Sequence, residues 1–439
     1  MFEKIKLSLK SIDYRLFAVL LAMGFIPTIY TTVRIFFLGN MPTDWGFNIA
    51  SQLSWINLIY EVLQEAIILP LFYLMGKSIS DKSVFTNKIK TGLIVTFGIY
   101  GFLSVVVIIF VKPLITLMSQ KQYLISATAA YIRLEAIASI LLTVARFLLL
   151  VLIILKKNKQ LYAIMIIQML LTVFADIFLA SSLSISFDLG VNGIAIGNII
   201  VNIVLLIIVL FFLNNAGYQI GLKGKISFGW MKEWIEVGGY SGLESFVRNI
   251  AFMLMVIRMV NVVGEQGTFW IANNFIWGWL LLPILQLGQL IKRDCGASGD
   301  RAIKQKTIGY FVITGIIVII WLFTMPFWDS FIKNVMNVKN YTDVYQIALI
   351  SVVFYITFAF NNVIDSIFYG IGKTNYMLFQ SIVINTLFYG TLFILYKTGI
   401  YKPTLSLIAL MFGAGIAFDS ALTYAMFIWM LKKRKLSII

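Results

Sequence analysis

The stretch "NNAGYQIGLKGKISFG", residues 214–229, is a polar, glycine- and lysine-containing connector in a chain that is otherwise mostly apolar. Six apolar runs precede it, at about 16–38, 47–75, 91–117, 124–154, 160–182 and 190–213. Six follow, at about 231–260, 268–291, 307–327, 342–370, 376–396 and 404–431. Each reaches the roughly 20 residues that a helix needs to cross a hydrocarbon core. The expected fold is an all-α polytopic membrane protein with twelve transmembrane helices. The connector divides it into lobes at 1–213 and 230–439, with 214–229 as a cytoplasmic linker.

Composition agrees with that class. Of 439 residues, 60% are hydrophobic and 12% charged, and the mean hydropathy is +0.92; a soluble domain carries about 25% charged residues. The net charge of +16 is a matter of topology. Lys4, Lys6, Lys10, Arg15, the 77–90 loop, "KKNK" at 156–159, the connector, the 292–306 loop, Lys373 and the "KKRK" tail hold most of the 35 Lys and Arg, and all fall on one side of the alternating runs. By the positive-inside rule that side is cytoplasmic, so both termini are expected there, in a multi-pass protein of the cell membrane. No surface remains for nucleic acid. The chain has no histidine and one cysteine, Cys295, which excludes disulfides, Cys/His metal sites and His-dependent triads. No catalytic residue is expected, and no enzyme activity. The start "KIKLSLK" resembles a signal peptide, but no small-residue cleavage site follows it, so the first run reads as the first span.

The six-and-six division invites a search for duplication. A shift of 225 residues superposes Gly39 on Gly264, Thr43 on Thr268, Trp45 on Trp270, Asn48 on Asn273 and Gln64 on Gln289, and places Glu61 on Gln286. These positions share one topological place, the outer turn between the first two spans of each half. Because each half has an even number of spans, the repeats share an orientation, which predicts two pseudo-symmetric six-helix lobes facing a central cleft.

Four segments carry a family likeness: "DLGVNGIAIGNIIVN" at 188–202, "VGGYSGLE" at 237–244, "LPILQLGQLIKRDCGASGD" at 282–300 and "YGIGKTN" at 369–375. With the span count and the repeat, the chain resembles the multidrug and toxic compound extrusion (MATE) family. That family lies within the multidrug/oligosaccharidyl-lipid/polysaccharide flippase superfamily. Glycines spaced by four, such as Gly193 and Gly197, also serve plain helix packing. The resemblance implies a secondary antiporter that exports organic, often cationic or amphipathic, small molecules by alternating access, coupled to H+ or Na+. No other cofactor is implied. It also implies a proline in the first span, matched by Pro27, where a missing N–H loosens the helix and allows a gating kink.

One departure stands out. Where relatives with a first-lobe cation site have an aspartate in span one, this chain has Arg34, and their span-five asparagine and aspartate align with Asp176 and Ala180. A fixed guanidinium repels a coupling cation there, so the resemblance does not carry a first-lobe sodium site onto this chain.

Inside the spans lie Glu61, Glu65, Glu135, Asp176, Glu244, Asp365 and Asp419, with Arg34, Arg133, Arg146, Arg248 and Arg258. Each costs roughly 2.5–3.5 kcal/mol at the bilayer centre unless paired or facing water. Arg34 and Asp176 lie at similar depth, and either pair or leave Arg34 to snorkel to the outer headgroups. Glu244 and Arg248 are spaced for an intrahelical pair, while Arg258 lies near an outer end. Asn57, Glu61 and Glu65 form a polar stripe. Two carboxylates one turn apart in low dielectric resist being charged together, which suits proton coupling; the alternative is pairing with Arg133 or Arg146. Asn361, Asn362, Asp365 and Asp419 supply oxygens that, with Glu244, suit a hard cation such as sodium.

Trp45, Trp270 and Trp328 fit an outer aromatic belt and Trp230, Trp234 and Trp429 an inner one. Trp55, Trp277 and Trp279 lie deeper and are candidates for substrate contact, with Asn361 and Asn362. The expected partners are a small-molecule substrate and the lipid bilayer, and the expected state is a monomer. The alternative function is export of an anionic lipid-linked or phosphorylated molecule, with Arg34, Arg248 and Arg258 facing the cleft.

Overall fold

The structure, a computed structural model, describes residues 2–41, 45–76, 78–155, 157–218 and 226–438. Thr43 of the repeat, Lys77, Lys156 and residues 219–225 of the connector lie outside these. Among the described residues the regular elements are helices. Ten are long and apolar enough to cross a membrane. Gln266–Leu280 and Leu282–Gly296, which meet at 53°, make an eleventh if taken as one span.

The spans are numbered in chain order: α1, Tyr14–Leu38; α2, the consecutive pieces Leu53–Leu63, Gln64–Ile68 and Leu69–Gly76; α3, Lys82–Leu117; α4, Ile125–Ile154; α5, Asn158–Leu179; α6, Val191–Asn215. Then come α7, the pieces Met231–Phe252, Met253–Ile257 and Arg258–Val263; α8, Gln266–Phe275, Ile276–Leu280 and Leu282–Ser298; α9, Asp300–Thr324; α10, Tyr341–Gly370. The last are α11, Thr374–Val383, Ile384–Tyr389 and Gly390–Lys397, and α12, Leu405–Lys433. The expected span at 47–75 is α2, which is not among the ten single helices. Its helical run of Leu53–Gly76 reaches about 36 Å at 1.5 Å per residue.

Two expected loops are helical instead. α3 begins at Lys82, inside the expected 77–90 loop, because the Asp81 carboxylate accepts from the N–H groups of Ser83 and Val84 at 2.9 and 3.1 Å, an N-cap that starts the helix early. The expected 292–306 loop is crossed by α8 and α9, which are separated only by Gly299 at φ +50. The first residues are also ordered. Phe2–Lys10 is a short helix, and the Ser8 hydroxyl accepts from the Gly309 N–H at 2.8 Å. Asp13 accepts from the Leu16 N–H at 3.0 Å and from Arg293 at 3.2 Å. These two donors hold its carboxyl below its ordinary range.

Packing groups the spans into two compact units, residues 1–32 with 268–439, and residues 33–267. In the first unit, the lower part of α1 packs on α8: Thr28 Oγ1 donates to the Gly278 carbonyl at 3.1 Å, and Gly24 lies against the Gln286 side chain. In the second unit, α7 packs on α2, because Gly238 and Gly242 sit so close to Ala66 that a Cβ on either would overlap it. Small residues at such points let backbones meet in a bilayer. The lobe boundary expected at 214–229 and the packing boundary therefore fall at different places. The connector's described end is pinned within the second unit, where Asn87 and Ser227 exchange hydrogen bonds of 2.8 and 2.9 Å.

Four spans contain a π turn: Gln64–Ile68, Met253–Ile257, Ile276–Leu280 and Ile384–Tyr389. Such turns are rare and concentrate where a helix must present side chains out of register. The one in α2 has an explicit partner, since Trp234 Nε1 donates to the Ile67 carbonyl at 2.9 Å.

Candidate functional site

Three polar clusters occupy the membrane-spanning helices, each within one unit. The first surrounds Arg34, four residues before the end of α1. Its Nε donates to Asp176 Oδ2 at 2.9 Å and its Nη2 to Asp176 Oδ1 at 3.1 Å, a two-pronged ion pair. Nη2 also donates to Asn198 Oδ1 at 2.9 Å, and Asn198 Nδ2 donates to Glu135 Oε1 at 2.8 Å. Tyr131, one turn earlier on α4, faces Glu135. The side chains of Arg34 and Asp176 are 18% and 1% exposed, so the guanidinium is bound inside the protein rather than snorkelling. Gly193 and Gly197 make this possible. Gly193 meets the Leu179 carbonyl and Gly197 meets Ala175, which brings α6, and with it Asn198, against Asp176 on α5.

The second cluster centres on Arg248 of α7. Its Nη1 donates to Glu244 Oε1 at 2.8 Å and its Nη2 to Glu61 Oε1 at 3.1 Å. Arg248 and Glu61 are 40% and 42% exposed while Glu244 is 15% exposed. Charged heads this open in the middle of spans demand water, because lipid contact costs roughly 2.5–3.5 kcal/mol each. The alternative pairing of Glu61 with Arg133 or Arg146 is not the one formed. Arg146 donates to Gln64 Oε1 at 2.9 Å and Arg133 to the Ile108 carbonyl at 3.4 Å. The α7–α2 approach at Ala66 brings Arg248 to Glu61 instead. Glu65 lies one turn further along α2, inside its π turn. Arg258 is used differently again. Its Nε donates to the Leu117 carbonyl at 2.9 Å, satisfying an otherwise open end of α3.

The third cluster joins α10, α11 and α12. Asn361 Nδ2 donates to Asp365 Oδ2 at 3.0 Å and to Asp419 Oδ2 at 3.2 Å, and Gln380 Nε2 donates to Asp419 Oδ1 at 2.6 Å. Asn362 instead turns to α8 and donates to the Ile284 carbonyl at 3.1 Å. Glu244, expected among these oxygens, is engaged by Arg248, and Gln380 stands within the cluster. Among the described residues no group of three His, Cys, Asp or Glu side chains is placed to hold a metal ion.

The deep tryptophans divide. Trp55 is 1% exposed with its indole N–H on Gln52 Oε1 at 3.0 Å, so packing occupies it. Trp277 is exposed and donates to the Tyr355 hydroxyl at 3.1 Å; Trp279 donates to Thr32 Oγ1 at 3.0 Å. Trp279 also lines an apolar cavity of about 530 Å³ with Phe17, Trp321, Phe327, Trp328 and Phe331. Trp328 and Trp234 are buried and pack against protein, Trp328 on Phe275 and Trp234 on Trp230.

Asn198 and Gln380 join these clusters unnamed by the sequence, and Glu135 joins the first, where the sequence marks it only as a charge within a span. The available signal was a lone amide or carboxylate in an apolar run, which names a residue but no partner.

No family model matches the chain, and no curated protein matches it. Solved structures do. An inward-facing multidrug resistance MATE family transporter of the MOP superfamily superposes with TM-score 0.76 at 18% identity, over 94% of this chain and 97% of that one. An outward-facing multidrug resistance MATE family transporter gives 0.64 at 17% identity, over 96% of each chain. A MOP superfamily transporter from Pyrococcus furiosus, described as having a binding pocket of reverse polarity that suggests a different function, gives 0.63 at 17% identity, over 94% and 93%. The chain is thus an all-α, multi-span membrane protein with the fold of the MATE transporters of the MOP superfamily.

Proposed function

We propose that this chain is a secondary antiporter that exports organic, cationic or amphipathic small molecules by alternating access, driven by inward movement of H+ or Na+. The cluster Glu61–Arg248–Glu244 carries the reading. Its open heads require water at membrane depth, and two carboxylates against one guanidinium leave an excess of negative charge where a cationic solute would be met. The fold supports alternating access, since transporters similar to this chain are known inward-facing and outward-facing. Pro27 lies inside α1, where the break in the helix ladder supplies the bend. The distribution of Lys and Arg supports a cytoplasmic placement of both termini; the reading takes the membrane to be the plasma membrane and the protein to be a monomer.

A second reading, export of an anionic lipid-linked or phosphorylated molecule, draws on the open Arg248 head and on the reverse-polarity pocket described for the Pyrococcus furiosus transporter. It is the weaker one. Arg34 is bound to Asp176, Arg248 to two glutamates and Arg258 to a carbonyl, so an anion would have to displace an internal partner. Counterflow in proteoliposomes decides between them. Exchange of labelled tetraphenylphosphonium, with none of glycerol phosphate, is the expected result. The reverse pattern establishes the anionic reading, and exchange of neither overturns both.

A further inference from the structure

We infer that the apolar cavity between α1, α8 and α9 is a lipid site that takes one acyl chain of a bilayer phospholipid. The inference goes beyond the antiporter reading and does not depend on it.

The cavity lies within the first packing unit. Its thirteen lining residues come from α1, α8, α9 and the segment that follows α9, and they surround about 530 Å³. None of them carries a charge, an amide or a carboxyl group. Interlocked rings hold the space open. Phe275 meets Trp328 edge-on with centroids 5.4 Å apart, and Phe331 meets Trp279 edge-on at 5.0 Å. Both indoles are pinned as well, Trp328 Nε1 donating to Thr324 Oγ1 at 3.2 Å and Trp279 Nε1 to Thr32 Oγ1 at 3.0 Å. Side chains locked in this way do not swing inward to close a gap, and a packed interior does not tolerate one of this size.

What fills the space must be hydrocarbon. Water would need about two to four polar partners. The one lining hydroxyl, Thr324 Oγ1, already donates to the Ile320 carbonyl at 2.9 Å and accepts from Trp328, which leaves at most the indole of Trp321. Apolar cavities as small as about 150 Å³ stay dry and take up benzene. An organic cation suits the lining no better than water does, because its charge would be desolvated without meeting a carboxylate. A chain of methylenes has no polar group to desolvate and gains dispersion contacts along its whole length.

Shape and access select the surrounding bilayer as the source of that chain. On α9 the lining runs from Ile317 to Thr324, about 10 Å at 1.5 Å per residue along a spanning helix, which is the direction in which acyl chains lie. The floor is closed, with Trp321 and Trp328 each 3% exposed, whereas Ile320 and Phe327 at the rim are 53% and 69% exposed. The rim continues into Ile316, Ile319 and Phe323 of α9, all exposed and all apolar. In a spanning helix such a face is turned to lipid, so a chain enters sideways without crossing water.

The test is native mass spectrometry of the full chain in detergent, delipidated and then titrated with dioleoyl phosphatidylcholine, with thermal melting measured in parallel. Wild type is expected to take up one phospholipid saturably and to regain the melting temperature lost on delipidation. Ile317→Phe and Ile320→Trp put ring atoms where the chain lies and should each weaken uptake about tenfold. In delipidated detergent both should melt at or above the wild-type temperature, because the added ring supplies the contacts that the chain gives. Phe102→Trp, at an exposed position of α3 outside the cavity, should take up lipid as wild type does. Absence of saturable uptake in wild type, or undiminished uptake in both ring variants, overturns the site. So does displacement of the lipid by tetraphenylphosphonium, which would give the cavity to the transported compound.

Discussion

Replacing Arg34 by glutamine gives the sharpest test of how the buried charges are balanced. Asp176 is 1% exposed and takes two hydrogen bonds from the guanidinium. Removing one partner of a buried ion pair leaves the other uncompensated, at about 3–5 kcal/mol. Asn198 Oδ1 also loses its donor, at 2.9 Å, adding about 1 kcal/mol. Arg34→Gln and Asp176→Asn should each destabilise the protein by about that much. The double variant should recover part of the loss, because neither group is then left charged and alone, giving a coupling of about 2 kcal/mol. Reversible denaturant titration in detergent, followed by tryptophan fluorescence, measures all four corners. Transport by Arg34→Gln should fall with the same loss. Single variants within about 0.5 kcal/mol of wild type, or strictly additive effects, would refute the claim that these helices depend on the pair.

Three further expectations concern single contacts. Gly242→Val places side-chain atoms against Ala66 and should cost about 1–3 kcal/mol, pushing α7 from α2 and opening the Arg248–Glu61 pair; an unchanged melting curve would count against that approach. Glu61→Gln combined with Glu65→Gln should flatten the pH dependence of tetraphenylphosphonium exchange, and an unaltered pH profile removes both residues from proton coupling. Pro27→Ala restores an N–H and a regular turn to α1, which should slow exchange several-fold while leaving stability equal or higher; exchange at the wild-type rate would show that no bending at this residue limits the cycle.

Much of the site was legible residue by residue. A charge in an apolar run is costly enough to be read as functional or paired without coordinates, and for Arg34 with Asp176 and Glu244 with Arg248, depth and helical spacing were enough to name the partner. Glu61 was legible as polar but not as the neighbour of Arg248. That contact depends on Gly238 and Gly242 meeting Ala66, and two glycines in a sequence do not say which helix they admit.

The sequence by itself determined that the chain crosses a bilayer repeatedly as helices, because hydrocarbon leaves a spanning backbone no other way to satisfy its polar groups when the runs are this long and apolar. It also marked which side chains are too polar to face lipid. Only the tertiary structure decided that residues 1–32 pack with 268–439 and that α7 packs with the helices before it, and that the Gln380 amide meets Asp419. In lipid, apolar faces are nearly interchangeable, so the choice of neighbour falls to close backbone approach and hydrogen-bond geometry, which are properties of helix pairs and are written in no single run of residues.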